Sequence, residues 1–175
     1  MSDPWSTSPN ELLGWFAGRL PADWFVGAPD VTADREEILV VGTLSDPELP
    51  ADATPEAVAA ARAARVDGFR EDTRERRMRV AQEAQDRFGR RVSWGAQCGD
   101  ARKLFTTVSV PAMTRLRMPE RKVLDTLVDA GVARSRSHAL AWCVRMVADK
   151  QDEWLKDLRE ALTQVEKVRS EGPKE

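Results

Sequence analysis

The chain has 175 residues, of which 42% are hydrophobic, and it carries a formal net charge of −2 at pH 7. This length and composition allow a buried core in one or two small domains. No apolar run approaches the roughly 20 residues that a membrane span needs, and the start M-S-D-P-W lacks the basic and apolar regions of a secretory leader. These observations exclude a membrane-spanning protein and predict a cytoplasmic one.

Charge is unevenly distributed along the chain. Residues 1–54 carry two basic and ten acidic side chains, whereas residues 92–147 carry nine basic and four acidic ones. An acidic chain still binds a polyanion when its negative charge lies away from the contact. The basic segment is therefore where we expect a nucleic-acid surface.

The first part of the chain predicts one helix and a pair of strands. A capped amphipathic helix is expected over Ser8–Leu20, because Ser8 and Glu11 have the spacing of a capping box. Trp24–Val26 and Glu37–Leu44 have the composition of strands and are separated by a polar, Asp-rich turn. We expect these two strands to pair as an antiparallel hairpin.

A helical segment and a second pair of strands follow. Pro55–Phe88 begins with proline, is followed by glycine and is rich in Ala, Glu and Arg, which predicts one long helix or two abutting ones. Its run R-E-D-T-R-E-R-R-M-R favours a solvated face with spaced ion pairs over a second nucleic-acid surface. Arg91–Ala96 and Leu104–Val110 have the pattern of strands. The element order predicts an α+β domain over residues 1–110, with helices on one face of a small antiparallel sheet.

The sequence contains no recognisable catalytic or metal-binding set. His138 is the single histidine, there is no glycine-rich phosphate loop, and Cys98 and Cys143 lie outside any metal-binding spacing. We therefore expect a protein that is not an enzyme, with two free thiols and without a cofactor or metal. Cys143 falls on an apolar helix stripe, where it is expected to belong to the core.

Residues 111–147 have the clearest functional pattern, beginning with a strand of period two. One side of this strand can be buried and comprises Thr114, Leu116 and Met118. The other side comprises Met113, Arg115 and Arg117. The second side presents two guanidinium groups that can contact nucleic acid.

Two short helices are predicted after this strand. Pro119 suits the first helical position, and Gly131 can take the left-handed conformation that ends a helix. Ser135 stands where the cap of a second helix is expected. Apolar residues recur at helical spacing in both helices: Val123, Leu124, Leu127 and Val128 in the first, and Ala139, Leu140, Cys143, Val144 and Val147 in the second.

The passage L-R-M-P-E-R-K-V-L-D-T-L-V and the turn G-V-A-R-S-R-S resemble the ribbon-helix-helix (Arc/CopG-like) family of DNA-binding proteins. The resemblance covers residues 112–147, about a fifth of the chain. It implies a homodimer in which one strand from each protomer forms a two-stranded antiparallel ribbon that enters the major groove. One departure is His138, because members of that family usually have a glutamate at this position that closes a capping box.

The resemblance also implies roles for individual residues. Base contacts are implied for Met113, Arg115 and Arg117. A backbone phosphate is held at the start of the second helix, near Arg134, Ser135, Arg136 and Ser137. The dimer core comprises Leu116, Met118, Leu124, Leu127, Leu140 and Val144. The implied function is that of a homodimeric, sequence-specific DNA-binding protein such as a transcriptional regulator, nucleoid-associated when bound. Its N-terminal domain would sense a ligand or mediate assembly.

Two alternatives remain open at this point. The helix pair can pack on the rest of the protein without contacting DNA, with its arginines solvated. Residues 148–175 form a C-terminal extension that can continue the second helix, and its apolar stripe comprises Trp154, Leu155, Leu158, Leu162, Val165 and Val168. The second functional hypothesis is therefore an antitoxin-type interaction module that binds a partner protein through residues 148–170.

Overall fold

The structure is a computed structural model that describes residues 8–171, and the chain divides into unit 1 (Met1–Pro111) and unit 2 (Ala112–Glu175). The fold is α+β, with a four-stranded sheet and six helices among the described residues. Unit 1 comprises α1 (Pro9–Arg19), β1 (Asp30–Ala33), β2 (Glu37–Thr43), α2 (Pro55–Asp72), α3 (Arg74–Phe88), β3 (Arg91–Cys98) and β4 (Ala101–Leu104). Unit 2 comprises α4 (Met118–Asp129), α5 (Arg136–Lys150) and α6 (Asp152–Glu171). None of these helices is long and apolar enough to cross a membrane.

The outer ends of the two helical segments of unit 1 lie at the residues that the sequence indicates. The Ser8 hydroxyl accepts a hydrogen bond from the Asn10 N–H at 3.2 Å, which confirms the cap of α1. Gly89 takes a φ of 69° and ends α3, as a glycine directly after the helical segment predicts. The segment Pro55–Phe88 is two helices, and they divide at Thr73. The Thr73 hydroxyl donates to the Phe69 carbonyl at 2.5 Å, a local bond that competes with the helix ladder.

The sheet has the order β1-β2-β3-β4, and its central pair corrects the expectation of an antiparallel sheet. β1–β2 and β3–β4 are antiparallel, but β2 and β3 are parallel, with Val40 opposite Trp94. Two helices, α2 and α3, connect β2 to β3. Such a crossover returns the chain to the starting end of the sheet, so the second strand runs parallel to the first.

Two of the predicted strands are wrong, because other residues form the outer strands of the sheet. Trp24–Val26 has irregular backbone and is not a strand, and the hairpin partner of β2 is instead the short strand β1. The predicted strand Leu104–Val110 is also wrong, since β4 spans Ala101–Leu104 and ends where that strand was expected to begin. The Trp94 N–H donates there to the Thr106 hydroxyl at 3.1 Å, so a side chain replaces the backbone acceptor that a longer strand would supply.

One face of the sheet forms the core of unit 1. Residues of β2 and β3 that alternate along the strands, such as Ile38, Val40 and Trp94, are at most 3% exposed. The helices α1 and α3 cover them with Leu12, Phe16, Val80, Ala84 and Phe88. Val66 of α2 packs with Leu44, Ala96 and Cys98 in a neighbouring cluster. The helices therefore pack on the face that carries the alternating apolar residues.

Gly42 in β2 has no room for a side chain, because a Cβ there would overlap the ring of Phe25. We expect Gly42→Ala to lower the free energy of unfolding by about 1–3 kcal/mol, the usual cost of overpacking. Gly68→Ala in α2 is the matched control, since no atom beyond its chain neighbours and its own helix backbone lies within 4 Å of the Cβ position, and alanine favours a helix by about 0.5–1 kcal/mol. Urea unfolding followed by tryptophan fluorescence measures both values. A Gly42→Ala variant as stable as the parent would contradict the packing.

The C-terminal region of unit 2 is not one long helix, which corrects the expected continuation of the second helix. α5 ends at Lys150, and Gln151 has φ −123° and ψ 30°, outside the helical range. α6 then begins with Asp152 and Glu153 in its first turn. Acidic side chains stabilise a helix N-terminus, so the sequence D-E at this point favours a new start.

Candidate functional site

The helices α4 and α5 form a hairpin around a small core. Leu124, Ala133 and Ala139 are buried there, at 5%, 4% and 0% exposure. Gly131 has a φ of 73°. The two residues after it, Val132 and Ala133, donate their N–H groups to the Leu127 carbonyl at 3.0 and 3.1 Å. The predicted glycine turn between two helices is therefore confirmed.

The start of α5 carries a reciprocal cap. The Ser135 hydroxyl accepts from the His138 N–H at 3.2 Å, and the Nδ1 of His138 accepts from the Arg134 N–H at 3.3 Å. The histidine thus makes the backward bond that a glutamate makes in a capping box, but the donor is the N–H one residue before the cap residue Ser135. The first N–H groups of the helix, at Arg136 and Ser137, have no intrahelical acceptor and are available to an anion.

The predicted base-contacting residues lie in the segment that precedes α4. Residues 112–117 form no strand within the single chain. Met113 is 99% exposed, Arg115 and Arg117 are exposed, and Leu116 is half-buried against the hairpin core. The Leu116 carbonyl also accepts from the Arg121 guanidinium at 2.8 Å. A ribbon strand finds its hydrogen-bond partner only in a second protomer, so the strand stays a prediction.

The predicted phosphate-contacting residues differ in their surroundings. Arg134, Ser135 and Ser137 are exposed around the start of α5. Arg136 makes a bidentate ion pair with Asp125 of α4, at 2.6 Å from Nε to Oδ1 and 2.8 Å from Nη2 to Oδ2. This hydrogen-bonded pair lowers the pKa of Asp125 and raises that of Arg136. The sequence did not predict that Arg136 is engaged within the chain.

The predicted dimer core is only partly covered within one chain. Leu124 is buried, and three further members are half-buried: Leu116, Leu127 and Leu140. Met118 is 60% exposed and Val144 is 63% exposed. The hairpin therefore leaves part of its own apolar surface in contact with solvent.

The helix α6 has an apolar stripe that the described residues of unit 2 leave partly exposed. Five of its members are 42–68% exposed: Trp154, Leu158, Leu162, Val165 and Val168. Leu155 is half-buried. A continuous apolar stripe on an exposed helix marks a surface for interaction.

Comparison with known proteins gives matches in both units. Residues 10–104 match the family described as Rv1265-like protein, N-terminal domain. The chain belongs to this Rv1265-like family. Residues 117–169 match the family described as Mb1296 C-terminal domain. Relatives include Mb1296 of Mycobacterium bovis and Rv1265 of Mycobacterium tuberculosis, both named as uncharacterized proteins. Each is 58% identical over 160 residues, which cover 91% of this chain and 69% of the relative. No solved structure matches the chain.

Unit 1 contains a charged side chain, Arg77, whose burial the sequence interpretation missed. The charged run from Arg70 to Arg79 was expected to form a solvated face, but Arg77 is only 6% exposed. The signal that indicates a common face is the spacing of Arg70, Arg74 and Arg77, which recur after four and three residues. Spacing alone does not distinguish a solvated face from a buried one.

Proposed function

We propose that the chain is a homodimeric, sequence-specific DNA-binding protein, acting as a transcriptional regulator through residues 111–147. One observation carries the proposal. An exposed segment with Arg115 and Arg117 directly precedes a helical hairpin whose own apolar surface is incompletely covered. This combination is what the resemblance to the ribbon-helix-helix family leads one to expect of a single protomer.

The exposed apolar side chains of the hairpin support a dimer. Four of them are 48–63% exposed: Met118, Val123, Val144 and Val147. The hairpin core buries three residues, Leu124, Ala133 and Ala139, and exposed apolar surface beside so small a core favours a cover. A second copy of the hairpin supplies that cover. It also supplies the partner strand that residues 112–117 lack.

The exposed polar groups support DNA as the ligand. An arginine that faces the major groove can make a bidentate contact with guanine, and Arg115 and Arg117 are both exposed. At the start of α5, free backbone N–H groups and the exposed Arg134 favour a phosphate. Arg136 contributes a phosphate contact only after it leaves Asp125 or shares its guanidinium with it.

The test is an electrophoretic mobility shift of the full chain with DNA from its own upstream region, at 50 and 200 mM salt. If Arg134 and Arg136 of each protomer neutralise phosphates, about four counterions are displaced, and affinity falls on the order of a hundredfold between these concentrations. Light scattering at micromolar protein concentration should give twice the 19.6 kDa chain mass. A folded monomer, or DNA binding that salt does not weaken, would contradict the proposal.

The exposed stripe of α6 favours a second candidate, an antitoxin-type module that binds a partner protein through residues 148–170. The double variant Leu158→Asp, Leu162→Asp separates the two candidates, because both side chains are exposed and the fold does not depend on them. Retained DNA binding with lost co-purification of the adjacent gene's product supports the partner-binding role. Unchanged co-purification excludes α6 as the binding helix.

A further inference from the structure

Unit 1 contains a cavity of about 570 Å³ between the α2–α3 junction, β3 and the chain that follows β4. This volume lies within the range of small-molecule sites, roughly 300–1,000 Å³. Its lining combines charged side chains of the helices with apolar side chains that include Met78 and Val92. Such a lining fits a ligand that has a charged group and an apolar body.

Arg77 is the buried cation of this cavity. Its Nε donates to the Thr73 hydroxyl at 2.9 Å, its Nη2 donates to the Arg70 carbonyl at 2.6 Å, and its Cζ lies 4.8 Å from the centre of the Phe105 ring. Buried arginines normally pair with a carboxylate, but no carboxylate pairs with Arg77 among the residues that the structure describes. Burial, together with the positive charges of Arg70 and Arg74, lowers the pKa of Arg77.

The charge of the cavity wall is unbalanced. Arg70, Arg74 and Arg77 contribute three positive charges, and Glu71 is the one carboxylate among the described residues that line the cavity. Arg70 and Arg74 are exposed, so they can turn toward a ligand without a large desolvation cost. The excess of two positive charges matches a phosphate monoester, which carries about −1.5 to −2 near pH 7, better than a single carboxylate.

Trp94 indicates the nature of the ligand's body. Its indole lines the cavity together with Met78, Val92 and the Phe105 ring. A flat apolar body, such as an aromatic ring, fits a wall of this composition.

We propose that this cavity binds a phosphate monoester on a ring-bearing body, with Arg70, Arg74 and Arg77 holding the phosphate and the ring lying near Trp94. A nucleoside monophosphate and an aryl phosphate share this chemistry. The site lies entirely within unit 1 and does not depend on DNA binding by unit 2.

Calorimetric titration of the full chain with three probes tests the proposal: adenosine monophosphate, phenyl phosphate and inorganic phosphate. We expect one of the two ring-bearing probes to bind at least about tenfold more tightly than inorganic phosphate. A ring-bearing probe contacts the apolar side chains as well as the arginines, whereas inorganic phosphate contacts the arginines alone. Tighter binding of adenosine monophosphate identifies a nucleotide site, and tighter binding of phenyl phosphate identifies a site for other aryl phosphates. Equal affinity for all three probes, or no binding at millimolar concentration, overturns the proposal.

Paired arginine variants test the location of the site. Arg70→Ala, Arg74→Ala changes only exposed side chains, so the fold is retained, and we expect it to weaken the better probe at least about tenfold because two charge-assisted contacts are lost. Arg76→Ala, Arg79→Ala is the matched control, because both side chains are exposed on α3 and neither lines this cavity. Arg77→Met adds a test of the buried cation, with circular dichroism to confirm folding. Equal loss of affinity in the cavity pair and the control pair overturns the assignment.

Discussion

Replacing both Arg115 and Arg117 by alanine is expected to weaken binding to a specific DNA site by at least about 4 kcal/mol, since the proposed dimer loses four bidentate contacts with guanine at about 1–3 kcal/mol each. Both side chains are exposed, so the free energy of unfolding should change little. Fluorescence anisotropy with a labelled operator fragment and with a scrambled fragment measures the loss and its dependence on sequence. Affinity for the scrambled fragment should change far less.

The double variant Arg91→Ala, Arg102→Ala is the matched control for this experiment. It also removes two exposed positive charges from each protomer, but from unit 1, outside the proposed DNA surface.

The variant Arg134→Ala is expected to behave differently, because a phosphate contact carries no sequence information. Its loss should weaken binding to both fragments alike and make the dependence of log K on log salt shallower by about one unit per contact. If the Arg115, Arg117 double variant binds its operator as tightly as the parent, the ribbon does not read DNA.

The helices were the most predictable part of the fold, because their ends depend on local chemistry. Ser8, Gly89 and Ser135 cap or terminate helices at the positions where their side chains or backbone conformations predict. The division at Thr73 and the division at Gln151 were less predictable. Neither residue is a glycine or proline, and each interruption depends on the conformation of one residue within a helix-favouring segment.

The sheet was less predictable, because strand pairing depends on contacts that are distant in the sequence. β1 has only four residues, the first of them Asp30, and it is a strand because it pairs with β2. The apolar residues at Trp24 and Phe25 resemble a strand in composition, but they are used as core side chains, with Phe25 packed against Gly42. Composition therefore identified apolar segments, whereas the topology determined which of them pair.

The candidate sites were also less predictable wherever they depend on contacts between residues that are distant in the sequence. The period-two pattern predicts that Arg115 and Arg117 are exposed, and they are, but Thr114 and Met118 on the side expected to be buried are exposed as well, so the alternation stays a prediction. The ion pair of Arg136 with Asp125 and the burial of Arg77 both result from packing of one helix against another element. The ion pair limits the phosphate contact that is proposed for Arg136, whereas the buried guanidinium of Arg77 supports the proposed ligand site.

The variant Leu124→Asp is expected to have the largest effect on stability in unit 2. Leu124 is 5% exposed at the centre of the α4–α5 hairpin. Truncation of a buried leucine alone costs about 2–5 kcal/mol, and an unpaired carboxylate in its place adds the cost of desolvating a charge. A unit of this size rarely has more than about 3–5 kcal/mol of stability, so the hairpin should unfold. Hydrogen exchange by mass spectrometry should show lost protection in α4 and α5 and retained protection in unit 1.

The control for this variant is Leu162→Asp, which makes the same substitution on α6 at a side chain that is 61% exposed. Its carboxylate remains hydrated, so protection of the hairpin should match the parent. Because the proposed dimer depends on a folded hairpin, Leu124→Asp should also give the monomer mass by light scattering, whereas Leu162→Asp should remain dimeric. If Leu124→Asp leaves α4 and α5 protected and the protein dimeric, then Leu124 does not belong to the core that holds the hairpin and the dimer together.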